Sequence, residues 1–390
     1  MNNLNTLKDL IASKRKVAPS TLKTYIRRLK VFIKIELPEY WEDGDTTEPI
    51  QEILNNEKDK IIKILDKFVL TQQKNIIGAI LVGLSPEKGN PNEEYMVAFE
   101  EYKKILKTKQ LQYEKDKKEQ KKTPKEKINW SEKKELDNVL DNYIKEWKTY
   151  EVKLQDKRIS GSQKRSKEGR ELLKKILVAS LYLYLPPRRL EYADTMIMDK
   201  KQFDKLQRSL TRWKKQLKTK KKTLTFKKED GTTKKKIIKL TKKQLSSIKS
   251  RHAKLKEKWD NTNYLVNYSL TKKFFHWGDY KTRKSNGVVD IQIKGRLNSI
   301  LNLYLKFREP KSKWLLLNTH KEKLTKNGLT KYLVKVFKPT GKKISVNMLR
   351  KIYISDYYKN DKKLVEREQL AKMMGHSKGM AQMVYEKKDD

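Results

Sequence analysis

The 390-residue sequence contains no cysteine. That absence excludes disulfides, thiolate zinc sites and a cysteine nucleophile. Only four histidines are present, His252, His276, His320 and His376, and their positions show no metal-binding spacing. The sequence also lacks a Gly-x-x-x-x-Gly-Lys phosphate loop, so an NTP-driven motor is not expected. We therefore expect neither a metal nor a cofactor.

Long apolar runs are lacking as well. The longest, Ile76 to Leu84 and Ile176 to Leu185, are about half of the ~18 residues that a membrane-spanning helix needs. The first five residues, Met-Asn-Asn-Leu-Asn, lack the apolar core of a signal peptide. We therefore expect an intracellular protein that is not secreted and has no membrane partner.

Acidic residues are few relative to basic ones. The chain has 94 Lys and Arg but 48 Asp and Glu, a formal net charge of +46. The excess is spread over the whole chain, and a field of this sign attracts polyanions with an affinity that falls as salt rises. Nucleic acid is the first candidate partner.

A helix is predicted to follow Pro19. Leu22, Leu29 and Phe32 recur at helical spacing and indicate a buried stripe. The basic residues between them are Lys23, Arg27, Arg28 and Lys30. We expect this basic side to bind nucleic acid and residues 1–115 to form a small helical domain. Residues 116–128 are a charge run containing a proline, which predicts an exposed basic linker.

Two motifs lie in the middle of the chain. A buried helix is predicted at Ile176 to Leu185, and two prolines stop it just before Arg188 and Arg189. Glu191 lies three residues after Arg188, so the two can pair on a helix. A hairpin is predicted further on, with strands at Phe274 to Thr282 and Val288 to Ile293 and an Asn-Gly turn between them.

Two more motifs lie near the end. Asn347 and Arg350 are three apart, on one face of a predicted helix. A Gly-His at 375–376 is followed by Tyr385, nine residues after His376. Residues nine apart lie on opposite faces of a continuous helix, so a shared site requires a bend between them. Without a bend, the segment is an amphipathic helix with a surface histidine.

Five features follow one another along the chain: an Arg with a Glu three residues later, a hairpin Lys, a polar residue three before an Arg, a Gly-His, and a Tyr nine residues after that His. In these residues the chain resembles the tyrosine recombinase (phage integrase) family. The resemblance implies that Tyr385 is the nucleophile, Arg188 and Arg350 hold the phosphate, Lys281 is the general acid and His376 donates a hydrogen bond. A tyrosine hydroxyl can attack phosphorus, and guanidinium groups bind phosphate oxygens bidentately.

Two positions need comment. Lys284 competes with Lys281 for the hairpin role and is expected to contact DNA. Asn347 stands where the family usually has His or Lys. Asn can hydrogen-bond a phosphate but cannot carry charge or shuttle a proton, so we expect slower chemistry.

The resemblance also implies the fold. We expect a mainly α protein with a small antiparallel β-sheet (α+β), in which a helical core-binding domain precedes a catalytic domain at 129–390. Arg188 and Lys281 are further apart than this family pattern leads us to expect. The Lys-rich stretch 199–260, with predicted strands at Thr223 to Lys227 and Lys234 to Leu240 and a turn at Gly231, is therefore interpreted as an insertion.

The function that follows is a site-specific recombinase or integrase, serving a mobile element or virus. It would cut and rejoin DNA through a 3′-phosphotyrosine. Double-stranded DNA and further copies of the chain, as a dimer or tetramer on DNA, are the expected partners, in the nucleus or cytoplasm wherever the target DNA lies. Type IB topoisomerase-like relaxation, a non-catalytic DNA-binding role and an RNA-binding structural role remain alternatives.

Overall fold

The computed structural model describes residues 3–155, 167–227, 232–308, 312–359, 363–376, 379 and 385–387. The fold is mainly helical, with one four-stranded sheet and two small two-stranded sheets, which confirms the predicted fold class. The chain divides into two compact units, Met1–Glu119 and Gln120–Asp390. Among the described residues, no helix is both long and apolar enough to cross a bilayer.

The first unit is a bundle of six helices and one short hairpin. Its elements are α1 (Asn3–Lys14), α2 (Pro19–Glu36), β1 (Trp41–Glu42), β2 (Asp45–Thr46), α3 (Ile50–Asn56), α4 (Lys58–Leu65), α5 (Leu70–Leu84) and α6 (Met96–Lys118). The α2 stripe packs inward as its spacing predicts, with Leu22, Leu29 and Phe32 buried. The start of the predicted linker, residues 116–118, closes α6.

The second unit has helices around a sheet. Its helices are α7 (Pro124–Asn129), α8 (Lys133–Gln155), α9 (Lys167–Leu183), α10 (Lys200–Thr219), α11 (Lys242–Asp260), α12 (Arg283–Asn286), α13 (Gly295–Phe307), α14 (Lys326–Val336), α15 (Val346–Lys359) and α16 (Leu364–Met373). The predicted apolar run forms the buried end of α9. Together with α8, α13 and α14 it encloses a core that includes Phe275 and Trp277.

The four-stranded sheet runs β3-β6-β7-β8. Its strands are β3 (Thr195–Asp199), β6 (Asn263–Asn267), β7 (Lys273–Trp277) and β8 (Val289–Ile293). The β6–β7 and β7–β8 pairs are antiparallel, but β3 and β6 are parallel. The sheet is therefore mixed, because a long connection between β3 and β6 returns the chain to the same end before β6 begins.

That connection, residues 200–260, is named the arm. It consists of α10, a ribbon of two antiparallel strands, β4 (Lys221–Lys227) and β5 (Thr233–Lys239), and α11. The two predicted strands are confirmed to within two residues, whereas the predicted turn at Gly231 lies outside the described residues. The arm packs against the sheet through an aromatic cluster, in which Phe203 and Trp259 lie beside Tyr264.

The predicted catalytic hairpin differs from the structure. Strand β7 ends at Trp277, five residues early, and a helical turn, α12, replaces the tight turn. The Asn263 side chain explains the early end: its Oδ1 accepts from Gly278 N at 3.1 Å and from Asp279 N at 2.9 Å. These bonds remove both amides from the ladder, so Lys281 lies in a loop rather than on a strand.

Candidate functional site

The Arg188 guanidinium is fully buried. Its Nη1 donates to Met373 O at 2.7 Å, and its Cζ lies 4.3 Å from the Tyr280 ring and 5.0 Å from the Trp277 ring. Within the described part of the chain, its Nε and Nη2 make no hydrogen bond. Burial lowers the pKa of Arg188, but an arginine stays charged near neutral pH.

Arg350, on α15, is buried in the same way. Its Nη1 donates to Pro187 O at 2.6 Å and to Met374 O at 3.1 Å. Its Nε and Nη2 make no hydrogen bond of ordinary geometry to any described residue, and burial lowers its pKa. Arg188 and Arg350 are thus held by the consecutive carbonyls of Met373 and Met374, so the two guanidinium groups share one backbone frame.

The expected pairing of Arg188 with Glu191 is wrong. Arg188 lies in an extended segment rather than on a helix, and Glu191 begins a short 3-10 turn. Glu191 Oε2 is buried without a hydrogen bond among the described residues, and Glu191 acts on Arg188 only through its charge. The two adjacent arginines differ in burial, since Arg188 is buried and Arg189 is half-buried.

His376 and Tyr385 meet despite their nine-residue spacing. Their rings are parallel to within 10°, with centroids 5.0 Å apart. The His376 amide donates to Ala371 O at 3.0 Å. The Arg350 Cζ lies 4.7 Å from the Tyr385 ring. The two side chains therefore share one site; positions 377, 378 and 380–384 between them, where the required bend was expected, lie outside the described residues.

The other predicted site residues lie at the edge of this cluster or away from it. Lys281 is exposed, but both of its chain neighbours contact the cluster: Tyr280 flanks Arg188, and Thr282 Oγ1 donates to Gly375 O at 2.7 Å. Lys284 is exposed on α12. Asn347 is exposed in the first turn of α15 and, within the described residues, makes none of the contacts that join the cluster.

The basic residues predicted on α2 are only partly as expected. Lys23, Arg27 and Lys30 are exposed and Arg28 is half-buried. Two apolar residues are exposed on this helix too, Val31 at 48% and Ile35 at 64%. The solvent side of α2 is therefore basic with an apolar component.

Sequence reasoning missed Gly375 as a site residue. Its φ is +71°, a left-handed conformation that an L side chain adopts at a cost. A Cβ at this position would lie 3.2 Å from Tyr280 Cδ2 and 3.3 Å from Arg188 Nη1. Gly375 therefore lets the chain turn directly against the Arg188 guanidinium, and the Met-Gly-His sequence was the available signal.

Sequence reasoning also missed what holds the segment after Tyr385. The Lys387 amide donates to Ser355 Oγ at 2.8 Å, and its Nζ lies 3.7 Å from a Glu126 carboxylate oxygen. Glu126 also forms an ion pair with Lys351, the neighbour of Arg350. This Glu126 bridge connects α7, α15 and the chain end. Glu126 is more than 200 positions from both Lys351 and Lys387 in sequence, so no local pattern could reveal the bridge.

Together, two buried cations, an imidazole and a phenol form one cluster without a paired carboxylate among the described residues. Guanidinium nitrogens lacking acceptors favour an oxyanion such as phosphate. No group of three or more His, Asp or Glu that could hold a metal occurs in the described residues. The arrangement suits phosphoryl transfer to or from a tyrosine.

Comparison of the sequence with protein-family models and with curated proteins yields no match. Among solved structures, a crystal structure of XerA recombinase aligns over 100% of this chain and 94% of that chain, at 11% identity and a TM-score of 0.31. A likeness of this extent is too low to assign a family.

Proposed function

We propose that the protein is a site-specific DNA recombinase or integrase that cuts and rejoins strands through a 3′-phosphotyrosine. The observation that carries the proposal is that Arg188 and Arg350, each with two guanidinium nitrogens that make no hydrogen bond of ordinary geometry to a described residue, are held by consecutive carbonyls next to the stacked rings of His376 and Tyr385. An ordinary structural arginine has its donors satisfied when buried. Two adjacent exceptions beside a tyrosine indicate a phosphate site.

The chemistry follows from these groups. Tyr385 Oη loses its proton to solvent as it attacks the scissile phosphorus, the new bond is a phosphotyrosine ester, and the bond to the 5′ oxygen breaks. Arg188 and Arg350 neutralise the charge that grows on the non-bridging oxygens. Lys281 protonates the departing 5′ oxygen, and His376 donates to a phosphate oxygen. The free 5′-hydroxyl of a strand later attacks the ester and releases Tyr385, so no external energy source is needed.

The site is closed in this structure. Tyr385 is 6% exposed, His376 is 2% exposed, and both arginines are at 0%. A DNA phosphate cannot contact the guanidinium groups while the Tyr385 ring lies over Arg350. DNA engagement therefore has to move Tyr385 away from Arg350 and bring the exposed Lys281 inward.

Further parts of the proposal concern the whole protein. The first unit serves as the DNA core-binding domain, with Lys23, Arg27, Arg28 and Lys30 on its DNA-facing helix. The chain acts as a dimer or tetramer on duplex DNA. Lys284 contacts the backbone beside the cleavage point. Integration of a mobile element or virus is the purpose that this activity serves.

Covalent trapping tests the proposal. The protein is incubated with end-labelled duplex DNA from the element's termini, nicked so that the leaving strand diffuses away, and denatured in SDS. We expect labelled protein with wild type and none with Tyr385→Phe. Tyr358→Phe is the matched control. Tyr358 packs with Tyr385 in one buried hydrophobic cluster, and its hydroxyl has no hydrogen bond among the described residues.

Other outcomes point elsewhere. An adduct that survives Tyr385→Phe means that another residue is the nucleophile. Tight binding with no adduct on any terminus favours a non-catalytic DNA-binding role, which the exposed Asn347 supports. Relaxation of supercoiled DNA by dilute protein favours a topoisomerase.

A further inference from the structure

The arm carries the densest charge in the chain. Its 61 residues contain 24 Lys or Arg and five Asp or Glu, an excess of +19 within the chain's +46. The proposed cleavage chemistry uses none of these residues. The proposed chemistry therefore leaves the charge of the arm unexplained.

The β4–β5 ribbon has two different faces. Directly opposite residues of an antiparallel pair share a face, and one face carries the pairs Lys221↔Lys239, Thr223↔Ile237 and Thr225↔Lys235. All six of these residues are exposed, including Ile237 at 67%. The opposite face also carries three exposed lysines, Lys222, Lys234 and Lys236, but they alternate with the apolar residues Leu224, Phe226 and Ile238, of which Leu224 and Ile238 are half-buried. On the first face, which we name the lysine face, every side chain that the structure describes is exposed.

Like charges meet on the lysine face, and within the described residues no acidic side chain forms an ion pair with them. Lys221 and Lys239 lie directly opposite one another, an arrangement of like charges that destabilises a strand pair. In the described part of the arm, the acidic residues that form ion pairs are Asp204, with Lys200, and Asp260, with Lys256 and with Arg283 of α12, and both acidic residues lie on the helices. Among the described residues, no ribbon lysine forms an ion pair. Because a two-stranded ribbon is only marginally stable in water, a polyanion on this face would stabilise it.

We propose that the lysine face binds double-stranded DNA at a place separate from the cleavage site. A two-stranded ribbon fits the major groove of B-DNA, which is about 12 Å wide. Lysine binds phosphate as a point charge, and threonine hydroxyls can add phosphate hydrogen bonds. The face has no Arg, Asn or Gln to read bases bidentately, so its contacts are to the backbone and independent of sequence. The choice of DNA as the polyanion rests on the proposed function.

The base of the arm is packed against the sheet, so a force on the arm from bound DNA would act on the sheet as well. Trp259, at the end of α11, stacks on the Tyr264 ring of β6 and on His276 of β7, at 5.3 and 3.6 Å between centroids. His276 in turn contacts Asp290 of β8 at 2.7 Å. The base of the arm is therefore tied to three neighbouring strands.

The test replaces Lys221, Lys235 and Lys239 together by Gln. The matched control replaces Lys134, Lys145 and Lys148, three exposed lysines of α8, so both triple variants lose the same charge. Binding to a random-sequence duplex is measured from low to high salt. Each lost phosphate contact reduces the slope of log K against log salt by ~0.9, so we expect a reduction of about 3 for the ribbon variant and less than about 1 for the control.

Lys→Arg at the same three ribbon positions keeps the charge and is expected to restore the slope. Equal slopes for ribbon variant and control, with thermal unfolding unchanged, overturn the proposal. So does a ribbon variant that loses binding to polyglutamate while its DNA slope stays that of wild type, because the partner would then be an acidic protein. A slope that changes for single-stranded RNA but not for duplex DNA also overturns it.

The two proposals fail separately. Binding of the duplex is measured without cleavage, so a reduced slope stands even if no phosphotyrosine adduct forms. Conversely, an adduct that depends on Tyr385 together with an unchanged slope removes the ribbon proposal and leaves the cleavage proposal intact.

Discussion

Gly375→Ala is expected to disturb the position of Arg188, and its effect on the rate of adduct formation can be distinguished from its effect on the unfolding free energy. Gly375 has a φ of +71°, and an L residue in this left-handed region costs about 1–2 kcal/mol. Its new Cβ would also lie 3.3 Å from Arg188 Nη1 and 3.2 Å from Tyr280 Cδ2. Both neighbours have to move by a few tenths of an ångström to remove this crowding.

Gly341→Ala provides the matched control. Gly341 has nearly the same φ, +70°, but a Cβ there meets no atom within 4 Å. We therefore expect both variants to lose about 1–2 kcal/mol of unfolding free energy. The loss at Gly375 is larger only by the cost of moving Arg188 and Tyr280.

The difference is expected in the rate of covalent adduct formation. Small misplacements of a group that holds a reacting phosphate can cost up to about 100-fold. We expect Gly375→Ala to slow adduct formation by about 10- to 100-fold and Gly341→Ala to leave it within about twofold of wild type. Urea denaturation and single-turnover trapping measure the two quantities. Equal rates for the two variants would refute the assignment of Arg188 to the phosphate site.

Two further predictions concern ion pairs. Glu126→Gln keeps the side-chain shape but removes the charge between Lys351 and Lys387. We expect urea denaturation to show a loss of roughly 1.5–3 kcal/mol of unfolding free energy, and amide hydrogen exchange at Lys387 to become faster. Unchanged exchange at Lys387 would contradict the bridge. Hydrogen bonds from Lys342 and Ser131 lower the pKa of Glu135, so its contribution is complete above the usual carboxyl pKa of ~4.3 and is lost as the pH falls through the lower, folded value. Glu135→Gln should therefore flatten the acid limb of the stability–pH curve, and an unchanged limb would contradict this.

Local patterns were sufficient for much of the fold. The run Ile176 to Leu185 predicted the buried end of α9, because its apolar residues and the two following prolines act within a few residues. The ribbon strands were predictable for the same reason, since alternation and a Gly turn are local features. The candidate cluster was predicted for Arg188, Arg350, His376 and Tyr385 only because their order resembles a known family.

What local patterns could not predict depends on distant partners. Strand β7 ends early because Asn263, 15 positions before Gly278, accepts its amide. Glu191 failed to pair with Arg188 because the chain between them is not helical. The Glu126 bridge joins the start of the second unit to the chain end. For the end of β7 and for the Glu126 bridge, the deciding contact lies outside any window in which periodicity or turn chemistry operates.

The parallel pairing of β3 with β6 also has a consequence for the order of folding. Strands β6, β7 and β8 are joined by short connections, so their meander has low contact order and can form early. More than 60 residues separate β3 from β6, nearly all of them in the arm, and pairing of these two strands requires closure of that loop with its entropic cost. We therefore expect β3 to be the last strand to dock. If the arm folds first, it shortens the flexible loop that must be closed and so lowers the entropic cost of pairing β3 with β6. The insertion would then assist folding of the central sheet.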